Sequence, residues 1–276
     1  MKKNWLKNKT VIISGASGGL GFGIAKLLIE KFDCRIIGIA RNEEKIKKAI
    51  LTLGEKSANF EYRIFDVNDR LSWLALREEL EKKSIIPDVL INNAGFMLPF
   101  SRFDKYSDEE ITEIINTNFI AHVNAVKILL PILKKSSTPS IINIVSAAGL
   151  CAIAGESMYC ATKFAMRGFT ETLQQDYKRK VYVAGIYPGF IKTDILQRSI
   201  IDAKTQKLVD KFMMPLDKAV NRIVKRIAKR KKRTVMGFDG RFMWIFSRFF
   251  PSFTPNIITD VFCKSKLELF KDVFED

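Results

Sequence analysis

The residues of this chain best suited to chemistry are a serine, a tyrosine and a lysine. Tyr159 and Lys163 are four positions apart, and Ser146 lies thirteen residues before the tyrosine. Positions i and i+4 share one face of a helix, so Lys163 can lie beside Tyr159. A lysine cation about 4–5 Å away favours the phenolate by roughly 3–4 kcal/mol at an effective dielectric of about 20. We therefore predict a lowered tyrosine pKa and a proton-transfer group that works near neutral pH.

The Tyr-x-x-x-Lys spacing alone also fits two ordinary residues on a half-exposed helix face. The elements around it favour the catalytic interpretation, because short apolar runs alternate with longer helical patterns, as in βαβ units. We predict an α/β fold, a doubly wound Rossmann-like parallel sheet of about seven strands flanked by helices. The predicted strands are 10–14, 35–40, 60–65, 89–92, 140–145, 181–187 and 234–236. The predicted helices are 19–31, 43–51, 70–82, 108–134, 158–178 and 216–229.

Length and composition indicate one large domain with an appendage. The chain has 276 residues, of which 47% are hydrophobic, enough for one well-packed α/β core. We predict a domain over 1–237 and an aromatic-rich extension over 238–276. The four cysteines lack a paired spacing, which indicates reduced thiols and a cytoplasmic protein. No run of about 18 apolar residues predicts a membrane span, and no residue cluster predicts a metal site.

The strong positive charge leaves several interpretations of the C-terminal extension. A net charge of +16 fits a nucleic acid, an anionic surface or simply a lysine-rich solvated exterior. No nucleic-acid motif is visible, so we predict no nucleic-acid partner. A basic run over 222–233 precedes many phenylalanines. That combination suits an amphipathic segment in peripheral, reversible contact with a membrane, a subunit contact, or a cover over the substrate pocket.

A glycine-rich segment follows the first predicted strand and opens the first predicted helix. Glycines at this point let the backbone turn tightly and approach a pyrophosphate at the helix N-terminus. The Gly-x-x-x-Gly-x-Gly spacing differs from Gly-x-Gly-x-x-Gly, and its place in the first βαβ unit favours a dinucleotide over an ordinary turn. The segment supplies these predicted cofactor-binding residues: Gly15, Ser17, Gly18, Gly19, Leu20 and Gly21.

The end of the second strand favours NADP, with NAD as the weaker prediction. An NAD site carries an acidic side chain about 20 residues beyond the glycines, whereas this chain has Ala40 and Arg41 there. Arg41 could bind the 2′-phosphate of NADP, or it could be a solvated arginine. Asp66, after the third strand, could bond the adenine amino group or cap the next helix.

Together these motifs resemble the soluble, single-domain short-chain dehydrogenase/reductases over about residues 8–237. The motifs occur in the family's order: the glycine segment, Asn92-Asn93-Ala94-Gly95, Asn118, Ser146, Tyr159, Lys163 and Pro188-Gly189. The chain departs in having Ser14 for the commoner threonine. It also has no basic residue at Gly18, where some NADP-binding relatives carry one. The resemblance further implies a homodimer or homotetramer.

The resemblance implies a role for each of these polar residues. Tyr159 would be the general acid/base, and Ser146 would bond and position the carbonyl oxygen. Lys163 would bond the nicotinamide ribose and lower the tyrosine pKa, and Asn118 would hold a water that links Lys163 to solvent. The sole histidine, His122, is predicted to be structural or at a subunit contact. The resemblance adds these cofactor-binding residues: Val67, Asn93, Pro188, Gly189, Ile191 and Thr193.

The predicted function is an NADP-dependent oxidoreductase that interconverts a ketone and a secondary alcohol by hydride transfer. The loops 96–103, 149–158 and 194–215 are apolar, which favours a lipophilic substrate of steroid-like or fatty-chain type. One alternative is a 3-oxoacyl-carrier-protein reductase, in which the basic surface would dock an acidic carrier. An alternative of another class is a non-catalytic, nucleotide-sensing binding protein on the same fold.

Overall fold

Seven parallel strands form the centre of the molecule. The computed structural model describes residues 4–193, 205 and 213–275. The strands are β1 (Thr10–Ser14), β2 (Arg35–Ala40), β3 (Phe60–Ile64), β4 (Val89–Asn92), β5 (Ser140–Ile144), β6 (Tyr182–Pro188) and β7 (Arg233–Met236). They lie in the order β3-β2-β1-β4-β5-β6-β7, and every pairing is parallel. The predicted doubly wound sheet is therefore confirmed.

Helices cover both faces of the sheet. They are α1 (Gly19–Phe32), α2 (Glu43–Leu51), α3 (Arg70–Lys82), α4 (Asp108–Ile115), α5 (Ala121–Leu133), α6 (Ser157–Asp176), α7 (Leu216–Ala228), α8 (Phe238–Phe249), α9 (Phe253–Ser265) and α10 (Lys271–Phe274). The long helix predicted over 108–134 contains a π-helical turn, Asn116–Ile120, between α4 and α5. Such turns are frequent at functional sites.

The strands are apolar because both of their faces are buried. One core lies between the sheet and helices α1 and α7, and the other lies between the sheet and helices α3 and α5. Helices α1 and α7 approach closely at Gly23, where a Cβ would lie 2.7 Å from the Val220 side chain. The helical layers thus hold the carboxyl ends of the strands at one edge of the molecule.

The strand order reverses between β1 and β4. The loops after these two strands therefore leave the sheet in opposite directions, and a crevice opens between them at the carboxyl edge. Asn93, directly after β4, spans this point by donating its side-chain amide to the Ser14 carbonyl at 3.0 Å. Its backbone N–H donates to the Ser14 hydroxyl at 2.9 Å. The topology thus predicts where a ligand binds.

The C-terminal extension packs against the loops on this edge. Met243 of α8, Ile258 of α9 and Phe270 share a buried cluster with Met97 and Ile153. The Asp239 carboxylate at the start of α8 accepts a hydrogen bond from the Phe190 N–H at 2.7 Å. The predicted boundary at residue 237 falls between β7 and α8, and the division into two units stays a prediction.

Three further sequence predictions concern a substrate loop, membrane spans and metal sites. The predicted substrate loop over 194–215 falls mostly outside the described residues. Within the described ranges, no helix has the length and apolar character needed to cross a bilayer. In those same ranges, no group of three or more His, Cys, Asp or Glu side chains is arranged to hold a metal ion.

Candidate active site

A cavity of about 480 Å³ opens at the carboxyl edge of the sheet. Its walls come from the loops after β1 to β6 and from helices α6 and α8. We call the part lined by the loops after β1, β2 and β3 the cofactor half. The part lined by residues 96–97, 147–148, 153, 156, 190 and 243 is the substrate half. Tyr159 and Lys163 lie in the wall of the same cavity.

The glycine loop forms the floor of the cofactor half. Gly15 and Gly19 have positive φ angles of 68° and 51°, which glycine adopts without strain. The structure places these loop residues in the cavity wall: Gly15, Ser17, Gly18, Gly19 and Leu20. Gly21 lies behind them, and a Cβ there would lie 2.1 Å from the Gly15 carbonyl oxygen. Gly21 therefore supports the shape of the loop from α1, and its predicted contact with the cofactor stays a prediction.

Two cations lie at the outer end of the cofactor half. Arg41, directly after β2, lines the cavity together with Asp66 and Val67, and its guanidinium is 3.6 Å from the Asp66 carboxylate. Lys45 on α2 also lines the cavity, and its Nζ lies 3.6 Å from the position of a Cβ at Gly18. The sequence analysis missed Lys45, although it lies only three residues beyond Asn42, which caps α2.

Tyr159, Lys163 and Ser146 come together in the middle of the cavity. Tyr159 and Lys163 lie on α6 and are 6% and 5% exposed, and the Lys163 Nζ is 5.3 Å from the centre of the Tyr159 ring. Ser146 follows β5 and hydrogen-bonds the Tyr159 hydroxyl. Its own Oγ also accepts from the Ala148 N–H at 3.1 Å. The serine is thus held at the carboxyl end of β5, beside the tyrosine.

Burial dominates the electrostatics of this pair. Desolvation raises the pKa of Tyr159, the hydrogen bond from Ser146 lowers it, and Glu156 and Cys160 raise it further. Burial also lowers the pKa of Lys163 to about 8. In the cofactor-free protein the pKa of Tyr159 is therefore raised, whereas a lowered pKa was expected from the sequence. That expectation included the attraction of the lysine but left out the loss of solvation of the buried phenolate.

Asn118 lies in the π-helical turn and not in the cavity wall. It is fully buried, its Oδ1 accepts from the Phe96 N–H at 3.0 Å, and its Nδ2 donates to the Phe96 carbonyl at 2.9 Å. A Cβ at Gly95 would lie 3.0 Å from the Asn118 Oδ1 and 3.5 Å from the Lys163 Nζ. Asn118 therefore fixes the loop between β4 and the substrate half, next to Lys163.

His122 supports the same loop from α5. Its Nε2 is 2.8 Å from the Ala94 carbonyl, and burial lowers the pKa of the imidazole to about 4. The ring is therefore neutral at physiological pH, with Nε2 as the donor. This is a structural contact within one chain.

The segment after β6 completes the cofactor half. Pro188, Gly189, Ile191 and Thr193 all line the cavity. The Thr193 methyl group lies 3.8 Å from the position of a Cβ at Gly19, so this segment faces the glycine loop across the crevice. Ile191 is held by a bridge to Met214. The two faces of the crevice thus come from opposite halves of the sheet.

Among the described residues, the lining of the substrate half is apolar with one exception. Its wall consists of these side chains: Phe96, Met97, Ala147, Ala148, Ile153, Phe190 and Met243. Met243 belongs to α8, so the C-terminal extension supplies part of this wall. The exception is Glu156, which precedes α6, lines the cavity and is 1% exposed. The sequence analysis missed Glu156 because a lone glutamate in a loop carries no recognisable signal.

Comparison with known proteins identifies the family. A sequence profile described as short chain dehydrogenase matches residues 9–204. The chain belongs to this family. It is 35% identical over 195 residues to the 3-oxoacyl-[acyl-carrier-protein] reductase FabG of Chlamydia muridarum, covering 69% of this chain and 77% of that protein.

Two solved structures share the fold of this short chain dehydrogenase. An alcohol dehydrogenase of Thermococcus sibiricus, in complex with 5-hydroxy-NADP, has a TM-score of 0.71 and 24% identity, covering 82% of this chain and 93% of that one. A short chain dehydrogenase/reductase of Burkholderia phymatum, in complex with NAD, has a TM-score of 0.72 and 20% identity, covering 83% and 88%. Because the chain belongs to the short chain dehydrogenase family, it is an NAD(P)-dependent oxidoreductase acting on CH–OH and C=O groups.

The residues present fit such a cofactor. The cradle at Gly15 and Gly18 leaves room for a pyrophosphate at the N-terminus of α1. A bound nicotinamide would supply or accept the hydride. Tyr159 can then give a proton to the carbonyl oxygen during reduction or take it from the alcohol during oxidation. In that reaction Ser146 would hold the carbonyl oxygen, and the Lys163 ammonium would favour the phenolate form of Tyr159.

Proposed function

We propose that this short chain dehydrogenase uses NADP to interconvert a lipophilic ketone and its secondary alcohol. The observation that carries the cofactor preference is the pair of cations at the outer end of the cofactor half. Arg41 and Lys45 both line the cavity at the carboxyl end of β2. The described lining residues of the loop after β2 include no carboxylate, which an NAD site would place there to bond the ribose 2′-hydroxyl.

Arg41 also forms an ion pair with Asp66, and this pair must open if Arg41 is to bind the 2′-phosphate of NADP. Both side chains are largely exposed, at 65% and 42%, so their attraction is weak and easily exchanged for a phosphate. A 2′-phosphate offers more charge and more acceptor oxygens than one carboxylate. Arg41 would therefore turn from Asp66 to the phosphate, while Lys45 adds a second charge from α2.

The lipophilic substrate class is supported by the composition of the substrate half. Apart from Glu156, its described lining consists of methionine, phenylalanine, isoleucine and alanine side chains, and one of them, Met243, comes from α8. Apolar walls select by the burial of carbon surface, at about 25 cal/mol per Å². A compound with an extended ring system or chain beside its carbonyl would gain most from them.

The cofactor preference is tested by replacing the two cations. We expect wild-type kcat/KM to be at least tenfold higher with NADPH than with NADH, on whichever ketone of a broad panel is reduced best. The double variant Arg41→Ala, Lys45→Ala should lose this ratio mainly through a higher KM for NADPH. The double variant Lys47→Ala, Lys48→Ala, on exposed positions of α2 outside the cavity lining, is the matched control for net charge and should keep the ratio. An unchanged ratio in the double variant would contradict the proposal.

A second candidate is the reduction of 3-oxoacyl groups on a carrier protein. The identity to the Chlamydia reductase and the net charge of +16 favour it, since an acidic carrier would be attracted to a basic surface. The discriminating substrate is the acetoacetyl thioester of an acyl carrier protein. Reduction of this thioester at a higher kcat/KM than any free ketone would assign this function in place of the first.

We also propose that the C-terminal extension contacts a membrane surface peripherally, through the turn between α8 and α9. The turn between α8 and α9 exposes Phe249, Phe250 and Phe253, and Arg248 beside them is exposed as well. Exposed aromatic side chains next to cations suit insertion at the headgroup level of an anionic bilayer. Part of the basic run before α8 has another role, because Arg230 stacks on Trp5 and Tyr182.

Sedimentation with phosphatidylserine vesicles tests this contact. The protein should pellet at low salt, and the variant Phe249→Ser, Phe250→Ser should remain in the supernatant. Light scattering of both proteins without vesicles measures their oligomeric state, and so tests whether a second copy of this chain covers the patch instead. A dimer that the double substitution dissociates, with no pelleting of the wild type, would assign the patch to a subunit contact instead.

A further inference from the structure

The substrate half contains a buried carboxyl group that the reaction described above does not use. Glu156 lines the cavity three residues before Tyr159 and is 1% exposed. Among the described residues, neither of its carboxyl oxygens has a hydrogen-bond partner. Buried polar groups in native proteins are nearly always bonded, and each exception calls for an explanation.

The position of Glu156 at the start of α6 makes its lack of a hydrogen-bond partner unusual. Glu156 occupies the N-cap position of α6, where a side-chain oxygen usually accepts from the first N–H groups of the helix. Its side chain makes no such bond. The carboxyl group is therefore not used to stabilise the helix that carries Tyr159, and it is left facing the cavity.

Within the described part of the chain, the groups around Glu156 do not neutralise its charge. Tyr159 and Cys160 follow it on α6, and Tyr106 packs nearby. The Tyr106 hydroxyl already donates to the Gly155 carbonyl at 2.7 Å. Burial raises the pKa of Glu156 well above its ordinary value, which favours the neutral carboxylic acid over the carboxylate. In the neutral form it has one O–H donor and one free carbonyl acceptor.

We propose that Glu156 is a specificity-determining residue that binds a hydroxyl group of the substrate close to the reacting carbonyl. A hydroxyl matches the acid because it can both accept from the O–H and donate to the second oxygen. The inference rests on the proposed oxidoreductase function and narrows it: the substrate is a hydroxylated carbonyl compound with an apolar body, and not a plain hydrocarbon ketone. Binding it satisfies the buried acid, whereas a plain ketone leaves the acid unpaired.

Matched pairs of ketones test the proposal with NADPH as the reductant. The pairs are benzoin with deoxybenzoin, acetoin with butanone, and diacetone alcohol with methyl isobutyl ketone, each differing in one hydroxyl. We expect the wild type to prefer the hydroxylated member of at least one pair by about tenfold to a hundredfold in kcat/KM. Glu156→Leu should abolish this preference and leave reduction of the plain ketone equal or faster.

Two further variants separate recognition from structure. Glu156→Gln keeps one donor and one acceptor on the same frame and should retain most of the preference. Tyr106→Phe removes a neighbouring hydroxyl that is already bonded to the backbone and should leave the preference unchanged. The NADPH dissociation constant, measured by fluorescence, should stay the same in all three variants.

The outcomes distinguish this inference from the function on which it rests. A preference that Glu156→Leu leaves intact, or the absence of any preference in the wild type, would overturn the role of Glu156 while the oxidoreductase stands. Loss of activity on both members of every pair in Glu156→Leu would assign a structural role and also overturn it. A wild type that binds NADPH but reduces no ketone in a broad panel would overturn both.

Discussion

The two halves of the cavity are built in different ways. The cofactor half is assembled mainly from backbone: glycines with positive φ and the N-terminus of α1. The Asn93 side chain supports this backbone by tying β4 to β1. The substrate half is assembled from side chains that meet over long distances along the chain, as where Met243 of α8 packs near Met97 and Ile153.

This difference separates what is general from what is particular in the molecule. A backbone cradle recognises phosphates, which every dinucleotide carries, and therefore needs few specific side chains. A wall of packed side chains recognises the shape of one class of substrate, and it changes whenever a remote element changes. Tyr159, Lys163 and Ser146 lie where the two halves meet, so the proposed proton transfer would take place between the two kinds of recognition.

The largest expected effect is at that meeting point. Tyr159→Phe removes the proton donor but keeps the ring, so kcat should fall about a thousandfold while the NADPH dissociation constant stays the same. Steady-state kinetics with NADPH and cofactor titration by fluorescence measure the two quantities. A kcat within tenfold of the wild type would show that the tyrosine does not transfer the proton.

The next effect concerns the cost of burying Lys163. Its pKa is lowered from 10.5 to about 8, so above pH 8 the folded protein binds fewer protons than the unfolded chain. The free energy of unfolding should therefore rise as the pH increases from about 8 towards 10.5. Below pH 8 the full energetic cost of burying the charged lysine is present. Lys163→Met should stabilise the cofactor-free protein at pH 7 by on the order of 3 kcal/mol, while activity is lost.

Urea unfolding at pH 7 and pH 9.5 measures this effect. The difference in unfolding free energy between Lys163→Met and the wild type should narrow at the higher pH, because the wild-type lysine is then neutral in the folded state. A variant that is less stable than the wild type at pH 7 would show that other contacts of the ammonium outweigh its desolvation.

A smaller effect tests the backbone character of the cofactor half. In Gly21→Ala the new Cβ would lie 2.1 Å from the Gly15 carbonyl, so the loop must shift and NADPH should bind at least tenfold more weakly. Gly168→Ala is the matched control, because a Cβ there meets nothing within 4 Å. The control should gain about 0.5–1 kcal/mol in stability from its better helix propensity. Equal NADPH affinity in the two variants would contradict the cradle.

The smallest effect tests the substrate half. Met243→Ala should change the KM for bulky ketones about threefold or more, because Met243 lines the cavity, and leave the NADPH affinity alone. Ile258→Ala, in the same buried cluster of the extension but outside the cavity wall, controls for the loss of stability from a core cavity, on the order of 2–5 kcal/mol. If both variants change KM alike, the extension acts only through packing.

The same contrast between local and long-range features explains which parts of the fold and the site could be predicted from the sequence. The sheet, the glycine loop and the order of Ser146, Tyr159 and Lys163 follow from local patterns, because strand and helix periods and glycine turns are encoded over a few neighbouring residues. Lys45 and Glu156 escaped notice because nothing local marks them. Their position depends on how α2 and α6 approach loops from elsewhere in the chain. The raised tyrosine pKa escaped too, since burial is a property of the folded molecule.

Transfer of deuterium tests the central claim, that this cavity moves a hydride between a nicotinamide and a carbonyl carbon. The wild type would be incubated with NADPH deuterated at the transferred position and with a broad panel of ketones, and the alcohols would be analysed by mass spectrometry. We predict one deuterium at the carbinol carbon of at least one product, and none above background with Tyr159→Phe. Tight NADPH binding without label in any product would contradict the account and would favour a nucleotide-sensing protein on this fold.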